Sequence, residues 1–215
     1  MVQGPAAALC HPRRVNAGRR IVGRCSLHLY RLLVRGRARI LSSLWAGAFG
    51  SFGAHSVLQP PVRIEGERWI HLGREVFVGS GSYLQVLYGE DGHGRLEIGD
   101  GTSMTGGCTL CSAVSVRLGP RVLLARGVYI ADHGHAFDDR LRAVLDQGID
   151  RVAPVEIGAG AWLGQNVVVG PGVRIGRGAV IGANAVVLDD VPDHAVAVGV
   201  PARVVSYVPV AVEAS

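Results

Sequence analysis

The chain has 215 residues and a mass of 22.6 kDa, enough to bury one sizeable core and the size of a single domain. Glycine takes 31 positions and apolar residues 48%, but aromatic residues only 6%. That composition excludes intrinsic disorder and argues against a helix bundle; no Gly-X-Y period indicates collagen, and no apolar run approaches the ~18 residues of a membrane span. The net charge of +5 is unevenly distributed: residues 1–60 hold nine arginines and no acid, and the rest holds thirteen arginines against seventeen acids. Lysine is absent. The body is therefore acidic, and with no recognition module visible it is not expected to bind nucleic acid.

Residues 1–24 read as a loose basic leader without the apolar stretch of a signal peptide, so a cytoplasmic location is expected. From Cys25 to Trp45, Leu27, Tyr30, Val34, Leu41 and Leu44 recur at intervals suited to an amphipathic helix, weakened by Gly36. Its opposite face carries Arg31, Arg35 and Arg39, which leaves peripheral contact with an anionic membrane open. Gly47 to Pro61 reads as a linker. The predicted division is a basic arm with one helix (1–60), a repeat domain (61–207) and a tail (208–215).

The repeat is the strongest signal. From Ile157, an aliphatic residue followed by a small one returns every six residues: Ile157-Gly158, Leu163-Gly164, Val169-Gly170, Ile175-Gly176 and Ile181-Gly182, with Val187 in phase. The same period appears at Leu72, Val78 and Leu84, at Ile98, Met104 and Leu110, and at Leu118, Leu124 and Ile130. Six residues match neither the 3.6-residue turn of a helix nor a hairpin meander. They match short strands joined by tight corners, each turning one aliphatic side chain inward, with the adjacent glycine easing the corner. Three strands close one coil, and stacked coils form an all-β solenoid.

The four cysteines are Cys10, Cys25, Cys108 and Cys111. The last two have C-x-x-C spacing, but a structural zinc needs four ligands and no second close pair exists, so free buried thiols are expected and no metal. Between Ala131 and Glu156 the repeat is lost, and the excursion opens with Asp132-His133-Gly134-His135-Ala136-Phe137-Asp138-Asp139. Isolated, such a string is ordinarily a solvated polar loop. Thrown out of a rigid solenoid, it is the candidate site, because an imidazole beside a carboxylate suits general-base work.

The runs from Val155 to Gly164, from Val169 to Gly176 and from Asp190 to Val205 resemble the hexapeptide-repeat acyltransferases, particularly the maltose and galactoside O-acetyltransferase branch. The resemblance spans Val62 to Val205. It implies a left-handed parallel β-helix with a short N-terminal helical arm, assembled as a homotrimer. It also implies transfer of an acetyl or other short acyl group from acyl-CoA, here acetyl-CoA, to a hydroxyl of a saccharide acceptor. The family's base falls on His135, with Asp138 at H-x-x-D spacing; His133 is the second candidate. On the cofactor side, Ala183 meets the pantetheine arm, Gln165 stands where the family has Ser, and Arg203 faces the CoA phosphates. Trp162 matches an aromatic near the acyl site. Leu188-Asp189 replaces a Thr-Lys pair and Ser206 a second arginine, so Arg174 or Arg177 would have to supply further charge. The family's sugar-gripping Asn and Asp fall on Thr105 and Ala113, which implies an acceptor other than a galactoside; the residues that bind it are not marked in the sequence, and Tyr129 with residues 138–151 are the natural candidates. The competing reading is a non-catalytic scaffold on the same solenoid.

Overall fold

The computed structural model describes residues 16–89 and 92–209; residues 1–15 of the expected leader, with Cys10, and the end of the tail lie outside the described residues, whereas residues 17–24, expected as loose leader, are helical. It divides into two compact units, Met1–Gly36 and Arg37–Ser215. A single helix, α1 (Ala17–Trp45), runs through both, starting eight residues before the expected Cys25. Asn16 explains the earlier start. Its side-chain oxygen accepts the Arg19 N–H at 2.9 Å, satisfying a donor the first turn would leave unpaired.

In the second unit, the last turns of α1 bury Ala38 and Ser42. The Ser42 hydroxyl donates to the Ala38 carbonyl at 2.7 Å and accepts the Leu58 N–H at 2.9 Å, tying the helix end to the first coil. The remainder is a parallel β-helix whose strands stack into three sheets of six, eight and six strands. All fifteen aliphatic positions of the predicted period are buried and line one continuous core. Ile157 pairs with Ile175, Leu163 with Ile181 and Val169 with Val187, a coil of 18 residues.

The solenoid also begins earlier than the linker reading allowed. Strands Ser51–Phe52, Val57–Leu58 and Arg63–Glu65 form a first coil, in which Phe52, Leu58 and Ile64 keep the six-residue period. At the other end the parallel rule breaks. Ala195–Val198 adds in parallel to Val180–Ile181, but Arg203–Tyr207 folds back antiparallel and closes the second sheet.

Within every coil the spacing from first to second to third sheet stays at six, so insertions fall only at the corner that returns from the third sheet to the first. The paired strands Tyr88–Gly89 and Gly92–His93 are one such insertion, and the long excursion is another. The excursion separates Ile130 from its ladder partner Val169 by 39 residues, against 18 where nothing is inserted. One edge of the solenoid thus carries both inserted strand pairs.

The small residue after each inward aliphatic has a different cause from the one expected. Gly158 does not adopt a left-handed conformation; a Cβ there would stand 2.5 Å from the Arg177 backbone nitrogen of the next coil. The left-handed position comes two residues later, at Gly160 and, one side on, at Asn166. Gly158→Ala must push two coils apart and is expected to cost about 1–3 kcal/mol, as overpacking generally does. A melting temperature equal to wild type would remove that explanation.

The cysteines are only partly as expected. Cys25, Cys108 and Cys111 are free, but Cys25 is exposed while the other two are buried. Burial pushes the Cys111 thiol up to about 11, which keeps it protonated and inert.

Candidate active site

The excursion leaves the third sheet after Tyr129–Ala131 and returns at Val155–Ile157. It is an ordered hairpin, because Gly134–His135 pairs antiparallel with Ile149–Asp150. Gln147 braces its tip, accepting the Asp139 N–H at 3.0 Å and donating to the Asp139 and Arg142 carbonyls at 2.9 Å. The Arg151 guanidinium lies 4.5 Å over the Phe137 ring, a cation–π contact that fastens the two arms of the hairpin.

The root of the hairpin is Asp132, whose side chain is fully buried. Its Oδ1 accepts the Ala113 N–H at 2.7 Å, and its Oδ2 accepts the Val114 and Ser115 N–H groups at 2.9 and 2.7 Å. The Ser112 hydroxyl donates to the same oxygen at 3.0 Å. The fifth partner is His133, whose Nδ1 lies 2.9 Å from Oδ1. Burial alone would raise this carboxyl, but the bonds from His133 and the three N–H groups outweigh it and hold the group below the usual carboxylate range. With Nδ1 donating to Asp132, the His133 tautomer leaves Nε2 as the acceptor.

The two histidines are thus held differently. The His133 side chain is only 12% exposed, clamped against Asp132. His135 is exposed, paired through its backbone with Ile149. Among the described residues, its imidazole has no side-chain hydrogen-bond partner. Asp138 is exposed and is not hydrogen-bonded to His135, so the H-x-x-D spacing does not form a dyad within the chain. The carboxylate that orients an imidazole is Asp132. Its position directly before His133 was the available signal, but its partners lie a full coil earlier.

Trp162, Gln165 and Ala183 gather elsewhere. Trp162 sits on the second sheet and is 48% exposed; Gln165 and Ala183 occupy successive turns of the corner between second and third sheets, both exposed. The Gln165 carbonyl accepts the Asn184 N–H at 2.8 Å, stacking the two turns. This edge and the histidine edge flank the third sheet on opposite sides, so one chain does not bring them together. Arg203 lies on the antiparallel closing strand, and its guanidinium donates to Asp189 at 2.8 Å. The acid that replaces the family's lysine thus holds this arginine. Arg174 and Arg177 also have acidic neighbours, Glu156 at 3.8 Å and Asp193 at 3.5 Å.

Of the acceptor positions, Thr105 is exposed, and Ala113 offers its N–H to Asp132. Tyr129 is 43% exposed on the third sheet, next to the root of the hairpin. Clefts of about 460 and 500 Å³ open along the early coils, around Phe52 and His55 and around Arg74 and Asp100, and contain none of these residues. Among the described residues, no group of three or more His, Cys, Asp or Glu is arranged to hold a metal ion.

A family model described as bacterial transferase hexapeptide (six repeats) matches residues 154–189. The probable acetyltransferase Rv3034c of Mycobacterium tuberculosis is 35% identical over 71% of this chain and 47% of its own length. The galactoside O-acetyltransferase of Escherichia coli is 30% identical over 76% of this chain and 66% of its own. The putative lipopolysaccharide biosynthesis O-acetyl transferase WbbJ of Escherichia coli is 31% identical over 69% and 77%. The chain therefore spans about half of the first relative and just under two thirds of the second. Among solved structures, a hexapeptide-repeat acetyltransferase from Vibrio cholerae, complexed with acetyl coenzyme A, is 26% identical over 77% of this chain and 74% of its own, with a TM-score of 0.56. The fold shared with that enzyme is the left-handed β-helix expected from the repeats.

Proposed function

This chain belongs to the hexapeptide-repeat transferase family, and on that premise we propose that it is a CoA-dependent O-acyltransferase moving an acetyl group from acetyl-CoA to a hydroxyl of a saccharide acceptor. The single observation that carries the reading is the ordered histidine hairpin, rooted by a buried carboxylate on one edge of the solenoid. A scaffold has no use for a buried charge spent on fixing such a loop. The two relatives from Escherichia coli, a galactoside O-acetyltransferase and a putative lipopolysaccharide biosynthesis O-acetyl transferase, support the hydroxyl acceptor.

In this reading His135 is the base and His133 a positioning residue. A base has to reach the acceptor, and His135 is the imidazole exposed on the hairpin. The acceptor hydroxyl gives its proton to His135 while its oxygen attacks the thioester carbonyl. The tetrahedral oxyanion, held by a backbone N–H, collapses and expels the CoA thiolate, which takes the proton back from the imidazolium. Trp162, Gln165 and Ala183 line the donor, and Arg203 meets a CoA phosphate, to which a guanidinium is geometrically suited. The reaction draws on cytoplasmic acetyl-CoA. Among the described residues, no helix is long and apolar enough to cross a membrane.

Because the histidine edge and the donor edge flank the third sheet on opposite sides, the working unit in this reading is a homotrimer. A neighbouring copy sets its donor edge beside the hairpin. Exposed apolar residues on the sheets and closing strand, among them Trp162, Val198 and Val205, are the surface such a ring would cover through one repeated contact.

The test is thiol release from acetyl-CoA against a panel of sugars and amino sugars, with light scattering on the same sample. Release that requires a hydroxylated acceptor, from a trimer, is the expected result. No release with any acceptor would leave the scaffold reading, and release only with amino sugars would make the enzyme an N-acyltransferase. Arg203→Ala is expected to raise the KM for acetyl-CoA and leave the acceptor KM unchanged. The penalty wild type shows for a donor lacking the 3′-phosphate should then vanish; an unchanged donor KM removes Arg203 from the donor site.

A further inference from the structure

We propose that the segment of α1 up to Gly36 is an in-plane anchor that lays one apolar face on an anionic lipid surface. Five arginines lie between Ala17 and Gly36, and residues 1–60 contain no aspartate or glutamate. At ~100° per residue, Arg20, Arg24, Arg31 and Arg35 fall within an arc of about 60°. Val22, Leu29, Leu32 and Leu33 fall on a separate arc of about 100°. That second face is not spent on a core: Val22 is 68%, Leu29 57% and Leu33 64% exposed. The stripe expected from Leu27, Tyr30 and Val34 is a different one: Leu27 and Tyr30 are exposed, whereas Val34 and its continuation through Leu41 and Trp45 are partly buried.

Two further features select lipid as the occupant. The helix is intrinsically weak, with Gly18, Gly23 and Gly36 inside it and no acid in its first turn. A surface that binds its apolar face would supply the stability its own sequence lacks. Pairing that face with a second copy would instead bring together two arginine-rich helices with no acidic residue in either to offset them. An interface of anionic headgroups over acyl chains satisfies both faces at once, with the apolar side buried and the guanidiniums at the phosphates.

The experiment uses the full chain with vesicles of phosphatidylcholine alone and of phosphatidylcholine mixed with phosphatidylglycerol, read by co-sedimentation. Binding is expected only to the mixed vesicles and should weaken as salt rises. Replacing Arg20, Arg24, Arg31 and Arg35 together by Gln is expected to lower partitioning by about 100-fold or more. Leu29→Ser with Leu33→Ser should also abolish binding. Neither variant touches the proposed transfer machinery, so the oligomer and the turnover of a water-soluble acceptor should stay at wild-type values. Equal binding to both kinds of vesicle, or none, overturns the proposal. So does a serine variant that shrinks the oligomer while vesicle binding persists, because the face would then belong to another copy. The vesicle measurement does not depend on catalysis, so its failure and that of the proposed activity are separately visible.

Discussion

His135→Ala is expected to lower acetyl transfer by roughly two to four orders of magnitude, the range general-base assistance usually contributes. The fold should survive, because the exposed imidazole of His135 carries no side-chain hydrogen bond among the described residues and its place in the hairpin is set by backbone pairing with Ile149. His133→Ala is expected to cost less, on the order of tenfold, and in a different parameter. His133 is held by Asp132 at the root of the hairpin, so removing it loosens the loop that presents His135. A loose loop should raise the acceptor KM as well as lower kcat, whereas loss of the base should appear in kcat. Steady-state kinetics with acceptor varied at saturating acetyl-CoA separates the two. The reverse ranking, a dead His133 variant beside an active His135 variant, would give the base to His133. The buried Asp132 would then be the group that stabilises its imidazolium.

The parts of the fold set by local pattern were legible, and those set by contacts between coils were not. The aliphatic phase from Ile157 to Val187 repeats without interruption, and each of those side chains is in the core. The first coil was obscured because Gly50, Gly53, Pro60 and Pro61 look like linker residues, although Phe52, Leu58 and Ile64 keep the period among them. The excursion announced itself by losing the repeat, and its histidines were found on that ground. The root of the loop was not. Asp132 takes its meaning from N–H groups at 113–115, which the coil geometry brings beneath it and no local pattern marks. The Arg203–Asp189 pair was hidden for a similar reason. It forms because the closing strand turns back antiparallel, against the direction of every earlier strand in that sheet. The separation of the two candidate edges follows from the same coil arithmetic, since insertions accumulate only where the third sheet returns to the first.

Asp132→Asn is expected to destabilise the protein by about 2–5 kcal/mol at neutral pH, although the change is nearly isosteric. The buried carboxylate accepts from three backbone N–H groups, the Ser112 hydroxyl and His133. An amide offers one oxygen and points two N–H donors at groups that are themselves donors. At least two buried donors then lose their partner, and each such loss costs about 1–3 kcal/mol. The pH dependence gives the signature. The folded protein holds this carboxyl below the usual range, so the unfolded chain takes up its proton at a higher pH than the native state. Its contribution is therefore fully present above the ordinary carboxylate value of about 3.9 and is lost as the pH falls through the lower folded value. The stability gap between wild type and Asp132→Asn should be constant at and above neutral pH and should narrow as the pH drops below about 4. Denaturant melts of both proteins at matched protein concentration, at neutral and at acidic pH, measure this directly. The concentration must match because any assembly shifts the apparent stability by mass action. A variant that melts with wild type at neutral pH would show that the loop is rooted elsewhere, and a gap that does not narrow in acid would show that the charge of Asp132 plays no part.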